Sequence, residues 1–158
     1  MTAETGERAM VEVRAIDPLS SDGISLFRRL SQEQIDRYGR DGGLPLAELA
    51  KPGVIFVAGF LDGKAVGCGA VVPLGEGAGE LSRIFVDGSA RRNGVGAAIM
   101  GALESEAAPH FKRLVLETGV AQPESIALYE KCGYRSIPCW GKSADNPKSR
   151  CYEKRLAP

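Results

Sequence analysis

One stretch constrains this chain more than any other: ARRNGVGAAIMGAL, Ala90 to Leu103. From Val95 onward its apolar positions are Val95, Ala98, Ile99, Ala102 and Leu103. That spacing is the stripe of a helix laid against a sheet. The helix therefore begins close to Gly94, directly after Arg91, Arg92 and Asn93. A helix start leaves its first N–H groups unpaired and carries a partial positive charge, so it favours an anion. Gly94 and Gly96 would let a phosphate reach the backbone with no Cβ in the way, and the two arginines add donors at the rim. The plainer reading of the same letters is a glycine-softened turn with two solvated arginines.

The flanking segments supply a sheet for that helix. MVEVRAI alternates as a first strand, and DGISLFRRLSQEQIDRYG reads as one helix or two short ones, ending near Gly39. RDGGLPLAELAKPG is a turn-rich connection. VIFVAGFLDGKAVGCGAVVPL is two apolar runs around Asp62-Gly63, a dipeptide that accepts the positive φ angles of a tight hairpin. GEGAG makes a further turn before the strand ELSRIFV, which Glu80 begins. After the Gly94 helix comes the strand RLVLET. QPESIALYEKCG then carries helix signals, with Pro123 and Glu124 at the start and Lys131 and Gly133 at the end. YRSIP and RCYEKRL close the chain as short strands. The order β-α-β-β-β-α-β-α-β-β predicts an α/β chain, α+β in its mixed sheet, with residues 1–158 as one domain.

Several function classes drop out. Twenty basic and twenty acidic side chains cancel, which argues against a nucleic-acid partner held by bulk charge. No apolar run approaches the roughly 20 residues that span a bilayer, and MTAETGERAM has no apolar leader, so the expectation is a cytoplasmic protein with no membrane partner. The four cysteines, Cys68, Cys132, Cys139 and Cys151, show no C-x-x-C pairing. They read as buried free thiols rather than metal ligands. The one histidine, His110, follows Pro109 at a helix end and reads as a surface residue, which weakens a Ser-His or Cys-His hydrolase. The dinucleotide fingerprint fails because Ile99 stands at its third glycine, and GFLDGKA has neither the spacing nor the hydroxyl of a P-loop.

Arg91 to Gly96 fit Q/R-x-x-G-x-G/A, and with ELSRIFVDGSA before them and QPESIALYEKCGYRSI after, the chain resembles the GNAT superfamily of N-acetyltransferases from about Val11 to Leu156. The resemblance implies a mixed central sheet splayed between two parallel strands, ELSRIFV and RLVLET, with acetyl-CoA as co-substrate in the opening. Backbone groups of Ile84, Phe85 and Val86 are expected to pair with the pantetheine amides. Arg91, Arg92, Asn93, Gly94, Val95, Gly96 and Ala97 are expected to hold the pyrophosphate, and Gln122, where many members carry Asn, to lie near the coenzyme.

Acetyl transfer to an amine needs a neutral nucleophile, a polarised carbonyl and a proton for the departing thiolate. An amine of pKa near 10.4 is neutral about once in 2,500 molecules at pH 7, a cost of about 4.6 kcal/mol. Tyr129 occupies the family's proton-donor position, the alternative being a tyrosine packed in the core with its hydroxyl satisfied. Glu80 stands where several members carry a general base, the alternatives being a solvated strand-end carboxylate or proton transfer through ordered water. The amide near Phe85 is the expected carbonyl polariser. Arg83 reads as either a buried ion pair or a substrate-facing cation. Tyr38, Trp140 and Asp145 are candidates to line the acceptor pocket. A small-molecule amine is the first acceptor reading; a protein N-terminus or lysine, or a non-catalytic acetyl-CoA sensor, are the others. Many members pair through sheet edges or final strands, which adds the expectation of a homodimer.

Overall fold

The computed structural model describes residues 10–120 and 122–156; the reading of the first nine residues as lacking a leader lies outside them. Strand β1 (Val11–Ala15) is followed by helices α1 (Ser21–Tyr38) and α2 (Leu46–Leu49), then strands β2 (Ile55–Leu61), β3 (Lys64–Gly75) and β4 (Ala78–Val86). Helix α3 (Val95–Ala107), β5 (Arg113–Gly119), α4 (Pro123–Lys131), β6 (Arg135–Ile137) and β7 (Ser149–Arg155) complete the order. Seven strands form one sheet, β1-β2-β3-β4-β5-β7-β6. Every pairing is antiparallel except β4 with β5. No helix of the described residues is long and apolar enough to cross a membrane.

Local chemistry accounts for most boundaries. The Ser20 hydroxyl caps α1 by accepting from the Gly23 amide at 3.2 Å, and Gly39 ends the helix at φ 83°. One helix of 18 residues replaces the alternative of two short ones. Asp62 and Gly63 take φ values of 50° and 84°, the two positive angles of the tight hairpin expected there. The connection read as turns contains α2, a single turn too short to display a period, anchored by fully buried Leu49. β4 begins two residues earlier than Glu80, so Glu80 is a half-buried interior residue of its strand. Cys68 and Cys132 are free thiols, Cys68 alone fully buried, but Cys139 and Cys151 form a disulfide. The antiparallel pairing of Ile137 with Cys151 brings Cys139 alongside β7, a neighbourhood that linear spacing does not reveal. His110 is exposed, as expected.

The sheet buries two faces. One core packs α3 and α4 through Val95, Ile99, Leu103 and Tyr129. The other packs α1 and α2 through Leu26, Leu30, Leu49, Phe56 and Phe85. On the first face α3 lies unusually close, because the strands beneath it carry glycine. A Cβ at Gly67 would sit 2.7 Å from the Phe85 carbonyl and 2.9 Å from Ile99 Cδ1; one at Gly69 would meet Ile84 Cδ1 at 2.7 Å.

The feature that matters for function is where β4 leaves β5. They pair only from Ala78–Arg113 to Glu80–Val115. Beyond that, β4 bulges: Ala70 of β3 faces Ser82, but Cys68, two residues back, faces Phe85, three residues on. Arg83 absorbs the extra residue at φ 56°, a left-handed conformation that bends a strand. Gly67→Ala should push α3 and this bulge apart, since the obstructing atom is backbone. A loss of about 1–3 kcal/mol in unfolding free energy is expected, measured by urea titration.

Candidate active site

The parting of β4 and β5 opens two cavities that meet. The smaller, about 320 Å³, lies over the start of α3 and α4. The larger, about 630 Å³, lies between the C-terminal half of α1, the following loop and the ends of β4 and β5. Gln34, Ile84, Gln122 and Tyr129 line both and mark the junction.

The smaller cavity is walled by Ile84, Phe85 and Val86 on one side. Arg91, Arg92, Gly94, Val95, Gly96 and Ala97 form another wall, with Gln122 at the junction. Gly94 caps α3 at φ 79°, and no side chain caps the helix. The first amide of the helix with a backbone acceptor is that of Ala98, which donates to the Gly94 carbonyl at 3.0 Å. The amides of residues 92–97 have no backbone acceptor among the described residues. A Cβ at Gly94 would meet nothing within 4 Å, so the backbone here faces open space. This is a ready anion cradle. Asn93 is the one residue of the turn that does not line the cavity. Its side-chain amide donates to the carbonyls of Ala90 and Arg91, at 3.0 and 3.3 Å, and braces the turn instead.

Charges missed by sequence reasoning ring the mouth. Arg91 pairs with Glu33 of α1 at 2.9 Å, and Arg37 pairs with Glu124 of α4 at 2.7 Å. Glu124 is held below the usual carboxylate range by its own backbone amide and then by Arg37. The i, i+4 spacing of Glu33 and Arg37 was visible in the letters; their partners on other elements were not.

At the junction Tyr129 is 7% exposed. Among the described residues its hydroxyl has no hydrogen-bond partner, unlike those of Tyr134 and Tyr152, which donate to Glu104 and Glu130. Burial pushes its pKa up to about 12, so the phenol keeps its proton throughout the neutral range. Gln122, just before α4, makes no side-chain hydrogen bond among the described residues and faces both cavities.

The larger cavity holds two carboxylates. Glu80 comes from the last paired residue of β4, and Glu117 from β5 beyond the parting. Burial, then the charge of Glu117, raises the pKa of Glu80. The Ser149 hydroxyl donates to Glu117 at 2.7 Å. Tyr38 lines this cavity; Trp140 and Asp145, expected beside it, line neither. Their segment reaches the cavity only through Ser149 at the start of β7.

Arg83 is a buried ion pair and not a substrate-facing cation. Its two terminal nitrogens donate to both oxygens of Asp41, at 2.8 and 2.7 Å, and the side chains are 6% and 14% exposed. The Ser31 hydroxyl and the Gly43 amide also donate to Asp41. Arg83 Nε has no partner. The pair joins the bulge of β4 to the loop after α1. That loop passes so near that a Cβ at Gly43 would run into the guanidinium.

The comparisons with known proteins agree with this geometry. The sequence matches the Acetyltransferase (GNAT) family over residues 21–134. It is 35% identical over 150 residues to the IAA acetyltransferase of Azospirillum brasilense, spanning 92% of this chain and 98% of that one. A Klebsiella pneumoniae protein assigned as an acyl-CoA N-acyltransferase shares 33% identity and superposes with a TM-score of 0.74, over 94% of this chain and 99% of that one. At 19% identity, an aminoglycoside 6'-N-acetyltransferase complexed with coenzyme A has the same fold, with a TM-score of 0.72 over 93% of this chain and 98% of that one. The chain belongs to the GNAT family of acetyltransferases. It is an N-acetyltransferase, and acetyl-CoA is its co-substrate.

The Arg83–Asp41 pair yields a pH prediction. Its hydrogen bonds with Arg83 lower the Asp41 pKa from 3.8 to about 2. A depressed carboxylate stabilises the fold above its unfolded pKa, and loses that contribution as pH falls through the folded one. The shift corresponds to about 2 kcal/mol, fading between about pH 4 and pH 2. Asp41→Asn leaves Arg83 uncompensated and should cost about 3–5 kcal/mol at pH 7. Urea titrations at pH 7 and near pH 2.5 should show the gap to wild type narrowing in acid.

Proposed function

We propose that the protein moves the acetyl group of acetyl-CoA directly to the primary amine of a small molecule, with Tyr129 as general acid and Glu80 as general base. The carrying observation is the Tyr129 hydroxyl, protonated and without a partner among the described residues, carried by a side chain 7% exposed into the place where the two cavities meet. On this reading the amides and arginines of residues 91–97 take the diphosphate in the smaller cavity. Ile84 and Val86 turn their backbone toward the pantetheine arm beyond the last β4–β5 pair, while that of Phe85, between them, is paired with Cys68 of β3. The size of the larger cavity, about 630 Å³, supports a small acceptor.

The residues divide the chemistry. Glu80, made more basic than an ordinary carboxylate by burial and by Glu117, takes the proton of the incoming ammonium, which offsets part of the cost of a neutral nucleophile. The Phe85 amide, the expected polariser, faces β3, where Phe85 pairs with Cys68; an amide on the open edge of β4, that of Ile84 or Val86, polarises the carbonyl instead. Tyr129 directs its hydroxyl at the sulfur as negative charge gathers there. A phenol of pKa about 12 is a weak acid toward an ordinary thiolate. The same desolvation raises the basicity of the thiolate, which narrows that gap.

Two substitutions test the division. Tyr129→Phe should lower kcat by about 10²–10⁴-fold while acetyl-CoA affinity by calorimetry stays near wild type; equal turnover removes Tyr129 from the chemistry. Gly94→Glu places a Cβ at a φ of 79° and a negative charge against the diphosphate. It should abolish acetyl-CoA binding, and retained affinity would move the donor site elsewhere.

A further inference from the structure

The larger cavity is acidic where a catalytic base alone would not make it so. Glu80 and Glu117 line it from neighbouring strands, close enough for the charge of one to raise the pKa of the other. Among the described residues neither carboxylate has an ion-pair partner. Arg83 of β4 is engaged by Asp41 and Arg113 of β5 by Glu153, while Arg40, on the same cavity's lining, is the cation left unpaired among the described residues. Glu117 accepts from Ser149 through Oε2 and has no partner at Oε1. Glu80 is half-buried and Glu117 exposed; two carboxylates facing one cavity repel each other, and a cation placed between them relieves that repulsion. Independently, the Tyr129 hydroxyl, on a side chain 7% exposed, reaches the same cavity with no partner. The wall from α1 and the loop after it carries an apolar strip, Leu30, Leu44 and Pro45 with the Tyr38 ring, beside Gln34 and Arg40.

Resting on the reading of this cavity as the acceptor site, we infer that the acceptor is an aliphatic amine carrying a second, protonated nitrogen, and that Glu117 selects it. Glu80 takes the proton of the attacking nitrogen and is neutral afterwards; the Glu117 carboxylate holds the second ammonium while the methylenes lie along Leu30, Leu44 and Pro45. Arg40, exposed on the loop after α1, lies on the lining with Arg83 and, unlike Arg83, pairs with no acid among the described residues. A carboxylate-bearing acceptor would engage it, which makes the amino acid of equal length the contrasting probe.

The test compares putrescine, butylamine and γ-aminobutyrate as acceptors for wild type, Glu117→Gln and Glu117→Asp, by thiol release. Calorimetry of putrescine and of acetyl-CoA runs alongside. Wild type should prefer putrescine to butylamine by about tenfold in kcat/KM, the effect of one ion pair, expressed in KM. In Glu117→Gln the ratio should fall to about one with acetyl-CoA affinity retained, and Glu117→Asp, which keeps the charge, should keep the preference. The inference is overturned if butylamine is used as well as putrescine, if the preference survives Glu117→Gln, or if γ-aminobutyrate is the better acceptor. If putrescine binds through Glu117 yet no acceptor is acetylated, the ligand class stands and the catalytic roles of Tyr129 and Glu80 fall. The inference also falls if putrescine is neither bound nor acetylated.

Discussion

Three residue pairs of parallel sheet, from Ala78–Arg113 to Glu80–Val115, are all that join β4 to β5, and the rest of the molecule's chemistry follows from their stopping there. A continuous ladder would satisfy the backbone of both strands and leave a closed sheet. Past Glu80 the extra residue at Arg83 turns β4 aside. One edge of each strand then faces open space in the middle of the sheet, where unpaired amides and carbonyls are costly unless a ligand or water meets them. An extended, amide-bearing chain such as pantetheine is the kind of ligand that meets them. The opening also lets the two cavities share Gln34, Ile84, Gln122 and Tyr129.

The charges are sorted along the same line. On the donor side, the amides at the start of α3 and the arginines before it make a site for an anion. On the other side, Glu80 and Glu117 make a site for a cation. Helix α1 touches both, with Glu33 and Arg37 at the mouth of one cavity and Gln34 and Tyr38 on the wall of the second or at their junction. The Arg83–Asp41 pair keeps these territories separate. It neutralises a guanidinium that would otherwise sit beside Glu80, and it fixes the loop after α1 as a wall.

Much of the donor side was legible in the letters because its parts are contiguous. Arg91 to Ala97 are one turn, Ile84 to Val86 are one strand segment, and the period of Val95, Ile99 and Leu103 fixes which side of α3 meets the sheet. Asn93 departed from the pattern, since a side chain pointing back into its own turn looks the same in sequence as one pointing out. The acceptor side was far less legible. Glu117 is one polar letter in an apolar strand, Asp41 one acid in a glycine-rich loop, and Ser149 the first residue of a late strand. Trp140 and Asp145 had the right chemistry and the wrong place.

The sequence alone therefore determined the elements other than the single turn of α2, their order, the turn of free amides before α3 and the family, because each depends on neighbours within a few residues: a period, a cap, a glycine at positive φ. Only the tertiary structure decided which acids stay uncompensated, which arginine is buried and which cysteines are joined. Those properties depend on distance and desolvation between segments far apart in the chain, such as Asp41 with Arg83, or Glu117 with Ser149. Charge and burial act through space, and spacing along the chain does not encode them.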